Sequence, residues 1–163
     1  MRTAAVLVLL AAPAAYAHED SPPRPRDCTI VLGPNDRLAR EETLVVRAGE
    51  RVESAIALRG DVVVERGARI EKAVAIGGDV TVERGAVVGR EAVAIGGDVV
   101  LADGARVGKD AVALGGQVRL ERGARVEGAV LGISLQLGEA LRSRILAELG
   151  ADVSSCRVVR GWN

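Results

Sequence analysis

Residues 73–91 read AVAIGGDVTVERGAVVGRE, and residues 92–110 read AVAIGGDVVLADGARVGKD. The same phrase stands before them at 55–72 (AIALRGDVVVERGARIEK) and after them at 111–128 (AVALGGQVRLERGARVEG). The second glycine of each Gly-Gly pair sets the register: Gly60 (preceded by Arg59), Gly78, Gly97 and Gly116, at intervals of 18, 19 and 19. Self-similarity at a short fixed period is the mark of a stacked array, in which each unit buries its apolar face against its neighbours.

Inside each unit the apolar residues alternate in pairs. Val74 and Ile76, Val80 and Val82, Ala86 and Val88 are followed one unit later by Val93 and Ile95, Val99 and Leu101, Ala105 and Val107. The first copy supplies Ile56 and Leu58, Val62 and Val64, Ala68 and Ile70, and the fourth supplies Val112 and Leu114, Val118 and Leu120, Ala124 and Val126. Period two means strand with one face buried. Three short pairs per unit, separated by polar residues or glycine, describe a triangular coil in which each strand pairs with its equivalent one turn along, about 4.8 Å away. The pairs from Ile56 to Ile133 are the expected inward set. The step from Val88 to Ile95 is one residue longer than the six-residue step before it, so one corner gains a residue in the later turns.

Composition agrees. The 163 residues include no Phe, one Trp and one Tyr, although nearly half are apolar. A compact globular core normally draws bulk from aromatics, whereas a narrow bore filled by Val, Ile, Leu and Ala has no room for them. Lys plus Arg and Asp plus Glu both number 22. Nucleic-acid binding leans on a basic excess, so no nucleic-acid partner is expected.

Taken in order, residues 1–17 read as a secretory signal: Arg2, then the apolar run Ala4–Ala12, then Ala15-Tyr16-Ala17 as a small-x-small cleavage pattern. That run is too short to span a bilayer, and no transmembrane segment is expected after the signal is removed. Residues 18–27 are a polar, proline-rich arm beginning at His18, the only histidine. Residues 28–43 hold a strand (CTIVL) and the turn Gly33-Pro34-Asn35-Asp36. The array is expected over 44–133, starting with the degenerate copy at Leu44. In residues 134–163, Leu137, Leu141, Ile145 and Leu149 fall four apart, the stripe of an amphipathic helix. Such a helix either covers the open end of the bore or packs along one flank. Cys156–Arg160 reads as a last strand.

Cys28 and Cys156 are the only cysteines, which in an exported chain suggests a disulfide. They flank an array about 24 Å long at the strand spacing, so an intrachain bond requires one tail to fold back. A bond between molecules and two free thiols are the alternatives.

Outward positions form columns. Asp61, Asp79 and Asp98 stack, continued by Gln117; Glu65, Glu83 and Glu121 stack, interrupted by Ala102; Arg66, Arg84 and Arg122 stack, interrupted by Asp103. The aspartate column is a candidate cation site, since Ca²⁺ takes carboxylate oxygens. The structural reading is that each Asp accepts a hydrogen bond from a turn N–H. Val88-Gly89-Arg90-Glu91-Ala92-Val93 resembles a unit of the hexapeptide-repeat acyltransferases, which usually rely on a histidine beside the coil; His18 lies outside it. No catalytic constellation and no cofactor are expected.

The Gly-Asp-Val units (Gly60–Val62, Gly78–Val80, Gly97–Val99) and the Gly-Ala-x-Val/Ile corners (Gly67–Ile70, Gly85–Val88, Gly104–Val107, Gly123–Val126) resemble those of the bactofilins, polymer-forming bacterial cytoskeletal proteins. The resemblance covers about residues 44–133. It implies a right-handed β-helix that assembles end to end without nucleotide. Typical bactofilins lack a signal peptide and end in loose tails, and this chain departs from both. The expected molecule is therefore all-β, a single-stranded triangular parallel β-helix with a C-terminal amphipathic helix. It would be an exported, periplasmic or secreted, non-enzymatic structural or scaffolding protein whose partner is itself, as dimer or polymer. The alternatives are a surface-binding module using a flat face and an acyltransferase-like coil. A binding module calls for an apolar patch on one face, and the columns above supply none.

Overall fold

The computed structural model describes residues 29–134, 144 and 157–161. The expected signal, arm and helix lie outside these, apart from Arg144, which is helical and exposed. The described residues form strands β1 (Thr29–Leu32), β2 (Arg37–Arg40), β3 (Leu44–Val46), β4 (Arg51–Leu58), β5 (Val62–Val64), β6 (Arg69–Ile76), β7 (Val80–Val82), β8 (Val87–Ile95), β9 (Val99–Leu101), β10 (Arg106–Val107), β11 (Ala111–Leu114), β12 (Val118–Leu120), β13 (Arg125–Val126), β14 (Val130–Ile133) and β15 (Arg157–Arg160). Every pairing is parallel. The chain is a β-solenoid of about five stacked coils.

Each coil has three faces. The first is the ladder β3-β5-β7-β9-β12. The second and third share one sheet, because β4, β6 and β8 bend around a corner and serve both. Arg51–Val52 pair with Arg69–Ile70 on the second face, and Ala55–Leu58 with Ala73–Ile76 on the third. In later coils the same path splits into β10 and β11, then β13 and β14. The split follows a bulge: Ile70 pairs with Val88 but Lys72 with Glu91. That is where the unit grows from 18 to 19 residues. The ladder reaches back to β2, which pairs with β4, beyond the expected start at Leu44.

The corner between third and first faces explains the Gly-Gly pair. Its first residue has positive φ (Gly77 79°, Gly96 85°, Gly115 88°), a region that costs an L side chain dearly. Its second packs on the coil before. A Cβ on Gly97 would lie 2.3 Å from the Gly78 carbonyl oxygen, and one on Gly78 would lie 2.3 Å from that of Gly60. In the first copy Arg59 takes the positive-φ place (59°), and Glu41, also at positive φ (61°), stands in the coil before it. The two form an ion pair at 2.6 Å.

The bore is a single aliphatic column with no buried polar or charged residue among those described. On the first face Val62, Val64, Val80, Val82, Val99 and Leu101 are fully buried, and Ala68, Ala86, Val88, Ala105 and Val107 follow suit at the second. These match the alternation in sequence. The third face does not. There the residues buried in the bore are Ala55 and Ala57, Ala73 and Ala75, Ala92 and Ala94, Ala111 and Ala113, and of the alternate set only Leu58 is buried as well. Ile56, Val74, Ile76, Val93, Ile95, Val112 and Leu114, expected inside, stand on the other side of the strand, and none of them is buried. Leu131 and Ile133 are exposed outright. The reason is local. In AVAI both alternating sets are apolar, so period two gives the strand without saying which side faces in. Small alanines inside leave space for the bulkier valines of the other two faces.

The N-terminal end of the coil carries a small sheet of its own. β15 pairs with β1 in parallel, Thr29 opposite Arg157 and Leu32 opposite Arg160, and the Gly161 N–H donates to the Leu32 carbonyl at 2.9 Å. Arg160 lies in a hollow with Asn35, Arg37, Arg51 and Val52, so this two-stranded sheet sits at the N-terminal end of the coil. The expected last strand exists, but it has returned to the start.

Candidate interaction surfaces

The acidic columns bind coil to coil. The Asp79 N–H donates to Asp61 Oδ1 at 2.8 Å, the Asp98 N–H to Asp79 Oδ1 at 2.7 Å, and the Gln117 N–H to Asp98 Oδ1 at 2.8 Å. Each aspartate accepts from the backbone of the next coil, which frees the Gly-Asp corner of an unpaired donor. Asp98 also accepts from Arg119 at 2.6 Å. The glutamate column works in the opposite direction along the axis. Glu65 Oε2 accepts from the Ala48 N–H at 2.9 Å and Glu83 Oε2 from the Arg66 N–H at 3.1 Å. Glu121 accepts from the Asp103 N–H at 3.2 Å. Where Ala102 interrupts the column, Asp103 instead approaches Arg84 at 3.9 Å. Among the described residues no three His, Cys, Asp or Glu side chains cluster as a metal site. The aspartates the sequence nominated for a cation are thus side by side, each with one oxygen taken by a backbone N–H. His18 and both cysteines lie outside the described residues.

Two surfaces are apolar, and the sequence reading missed the first. On the third face Ile56, Val74, Val93, Val112 and Leu131 pair in one outward column. Ile76, Ile95, Leu114 and Ile133 pair in a second beside it, which starts from the buried Leu58. An apolar patch on one face therefore exists, against expectation. The signal was present as the double apolar set in AVAI, and only the choice of side concealed it.

The other surface is the C-terminal end of the bore. Leu120 is the register partner of Leu101. Leu101 is fully buried, and Leu120 is 47% exposed. Val118, Ala124 and Val126, which also point into the bore, are only partly buried. At the opposite end Val46 is 0% exposed and Ala39 and Leu32 are buried. Among the described residues, the N-terminal end is closed and the C-terminal end is open. There β12, β13 and β14 each have a partner on one side only among the described strands, so their outer N–H and C=O groups form a free edge.

No helix among the described residues is long and apolar enough to cross a membrane. Comparison with protein-family models, with curated proteins and with solved structures gave no match.

Proposed function

We propose that this is an exported, non-enzymatic β-helix with a structural or scaffolding role, which associates with itself through the C-terminal end of its coil. The observation that carries the reading is Leu120, a bore residue left 47% exposed at a free strand edge. A second copy supplies both what that residue lacks in apolar cover and what the edges lack in hydrogen-bond partners. Because the N-terminal end is closed, the copies meet C-terminal end to C-terminal end about a two-fold axis, and the product is a closed pair. The bactofilin-like repeat supports a structural role. The non-enzymatic reading rests on the outward acids being engaged in coil-to-coil hydrogen bonds and on the sole histidine, His18, preceding the repeats in sequence. Export rests on residues 1–17, and the mature chain then starts at His18.

The test is the mass in solution of the mature chain. Sedimentation should give a dimer that dissociates on dilution, and Leu120→Asp should give a folded monomer. A wild-type chain that stays monomeric at high concentration would sink the self-association. N-terminal sequencing of protein recovered from the cell envelope checks the export reading separately; a retained Met1 counts against it.

A further inference from the structure

The pairing of β1 with β15 begins at Thr29 opposite Arg157. One residue earlier in sequence than each of these stand Cys28 and Cys156, the only cysteines of the chain. Neighbouring strands lie about 4.8 Å apart, inside the roughly 4.4–6.8 Å Cα separation that a disulfide spans. In a parallel ladder, directly paired residues point to the same side of the sheet. We infer that Cys28 and Cys156 form an intrachain disulfide that locks the sheet closing the N-terminal end. The register favours this pairing over the two alternatives the sequence left open, since extending the four-pair ladder by one residue would bring the thiols together without help from a second molecule. Forming the bond removes two protons and two electrons from the two thiols. A disulfide-bearing oxidant of the export compartment accepts them and leaves as its dithiol. The bond closes a loop around the whole coil, so its effect on the unfolded chain is near the large end of the range.

The experiment uses the full mature protein recovered without reductant. Intact mass should be lower by two hydrogen atoms than that of the reduced chain, a thiol reagent should label no cysteine in denaturant, and peptide mapping should link the two cysteine peptides. The reduced protein, or Cys28→Ser with Cys156→Ser, should melt about 10 °C lower. Two reactive thiols in the native protein, or a covalent dimer on a non-reducing gel, would overturn the assignment. Because the readout is chemical, it does not depend on whether the molecule self-associates.

The outward apolar columns carry a second inference. Ile133 ends the described coil at one extreme, and Arg157 lies at the other. The chain between them must travel the length of the array, about 24 Å at the strand spacing. Residues 138–149 as a helix cover about 18 Å of it. The stripe of Leu137, Leu141, Ile145 and Leu149 in and just before this segment matches in chemistry the aliphatic columns of the third face, to which Ile133 itself belongs. We infer that residues 135–156 return along the third face with this stripe against Val74, Val93 and Val112. Hydrogen exchange on the full chain tests it. The amides of 138–149 should exchange slowly, and at least tenfold faster in Val93→Glu. Free-chain exchange rates for 138–149 in the unaltered protein, or rates unmoved by Val93→Glu, would overturn it.

Discussion

Ala94 is fully buried in the bore, and Val93, the residue before it, faces outward. The larger of the two side chains is therefore on the outside, and substitutions should report that inversion. Ala94→Leu forces extra methylenes into a filled column and should cost about 1–3 kcal/mol. Val93→Ala, which trims a side chain outside the bore, should cost less than Ala94→Leu. Urea midpoints of the two variants check this. The opposite ranking would restore the register first read from the sequence.

On the first face the alternation holds, and the expected asymmetry is larger. Val80 is fully buried while Thr81, its neighbour, is only partly so. Val80→Asp places a charge in an aliphatic column with no partner, a cost of several kcal/mol, and should leave the chain unfolded by circular dichroism. Thr81→Asp should change stability by no more than about 0.5 kcal/mol. Equal damage from both would show that this face too is misassigned.

The Gly-Gly corner separates two physical demands that one substitution each can isolate. Gly97→Ala drives a methyl group toward the Gly78 carbonyl oxygen and should lower stability by about 1–3 kcal/mol. Arg59→Gly removes a side chain from a positive φ but adds freedom to the unfolded chain and gives up the exposed pair with Glu41. It should be close to neutral, within about 1 kcal/mol. Thermal melts of the two variants are sufficient.

If the aspartate column links coils, its acceptor oxygen matters more than its charge. Asp79→Ala leaves the Asp98 N–H without its acceptor and should cost about 1 kcal/mol. Asp79→Asn keeps an acceptor oxygen and should cost clearly less. Millimolar calcium should leave both melting curves and that of the parent in place. A calcium-dependent rise in the parent, absent from Asp79→Asn, would show that the column holds a cation after all.

The coil was legible because its signal repeats. Val62, Val80 and Val99 occupy equivalent places in successive units, and each copy confirms the others. The role of Asp61, Asp79 and Asp98 was legible in part: a carboxylate after a glycine corner reads as an acceptor for a turn N–H, but the reading did not extend to the donor belonging to the next coil. Which side of the third face is buried was not legible, since Ala92-Val93-Ala94-Ile95 presents two apolar sides and alternation cannot choose between them. The closing of the N-terminal end was hidden for another reason. Thr29–Leu32 and Arg157–Arg160 are four residues each, far apart in the chain, with no periodicity to tie one to the other. Only the three-dimensional path shows that they meet.

That meeting has a mechanical consequence. β1 and β15 run in the same direction, so a pull on the two chain ends draws the start of one strand and the finish of the other in opposite directions along their length. The ladder between them is loaded in shear, and its bonds must fail together instead of opening one after another. A molecule tethered by both ends would hold its coil out of the line of force until that four-residue clasp gives way. With Cys28 bonded to Cys156, tension would pass from one end to the other through the bridge and β15 alone. The five coils would then carry none of it.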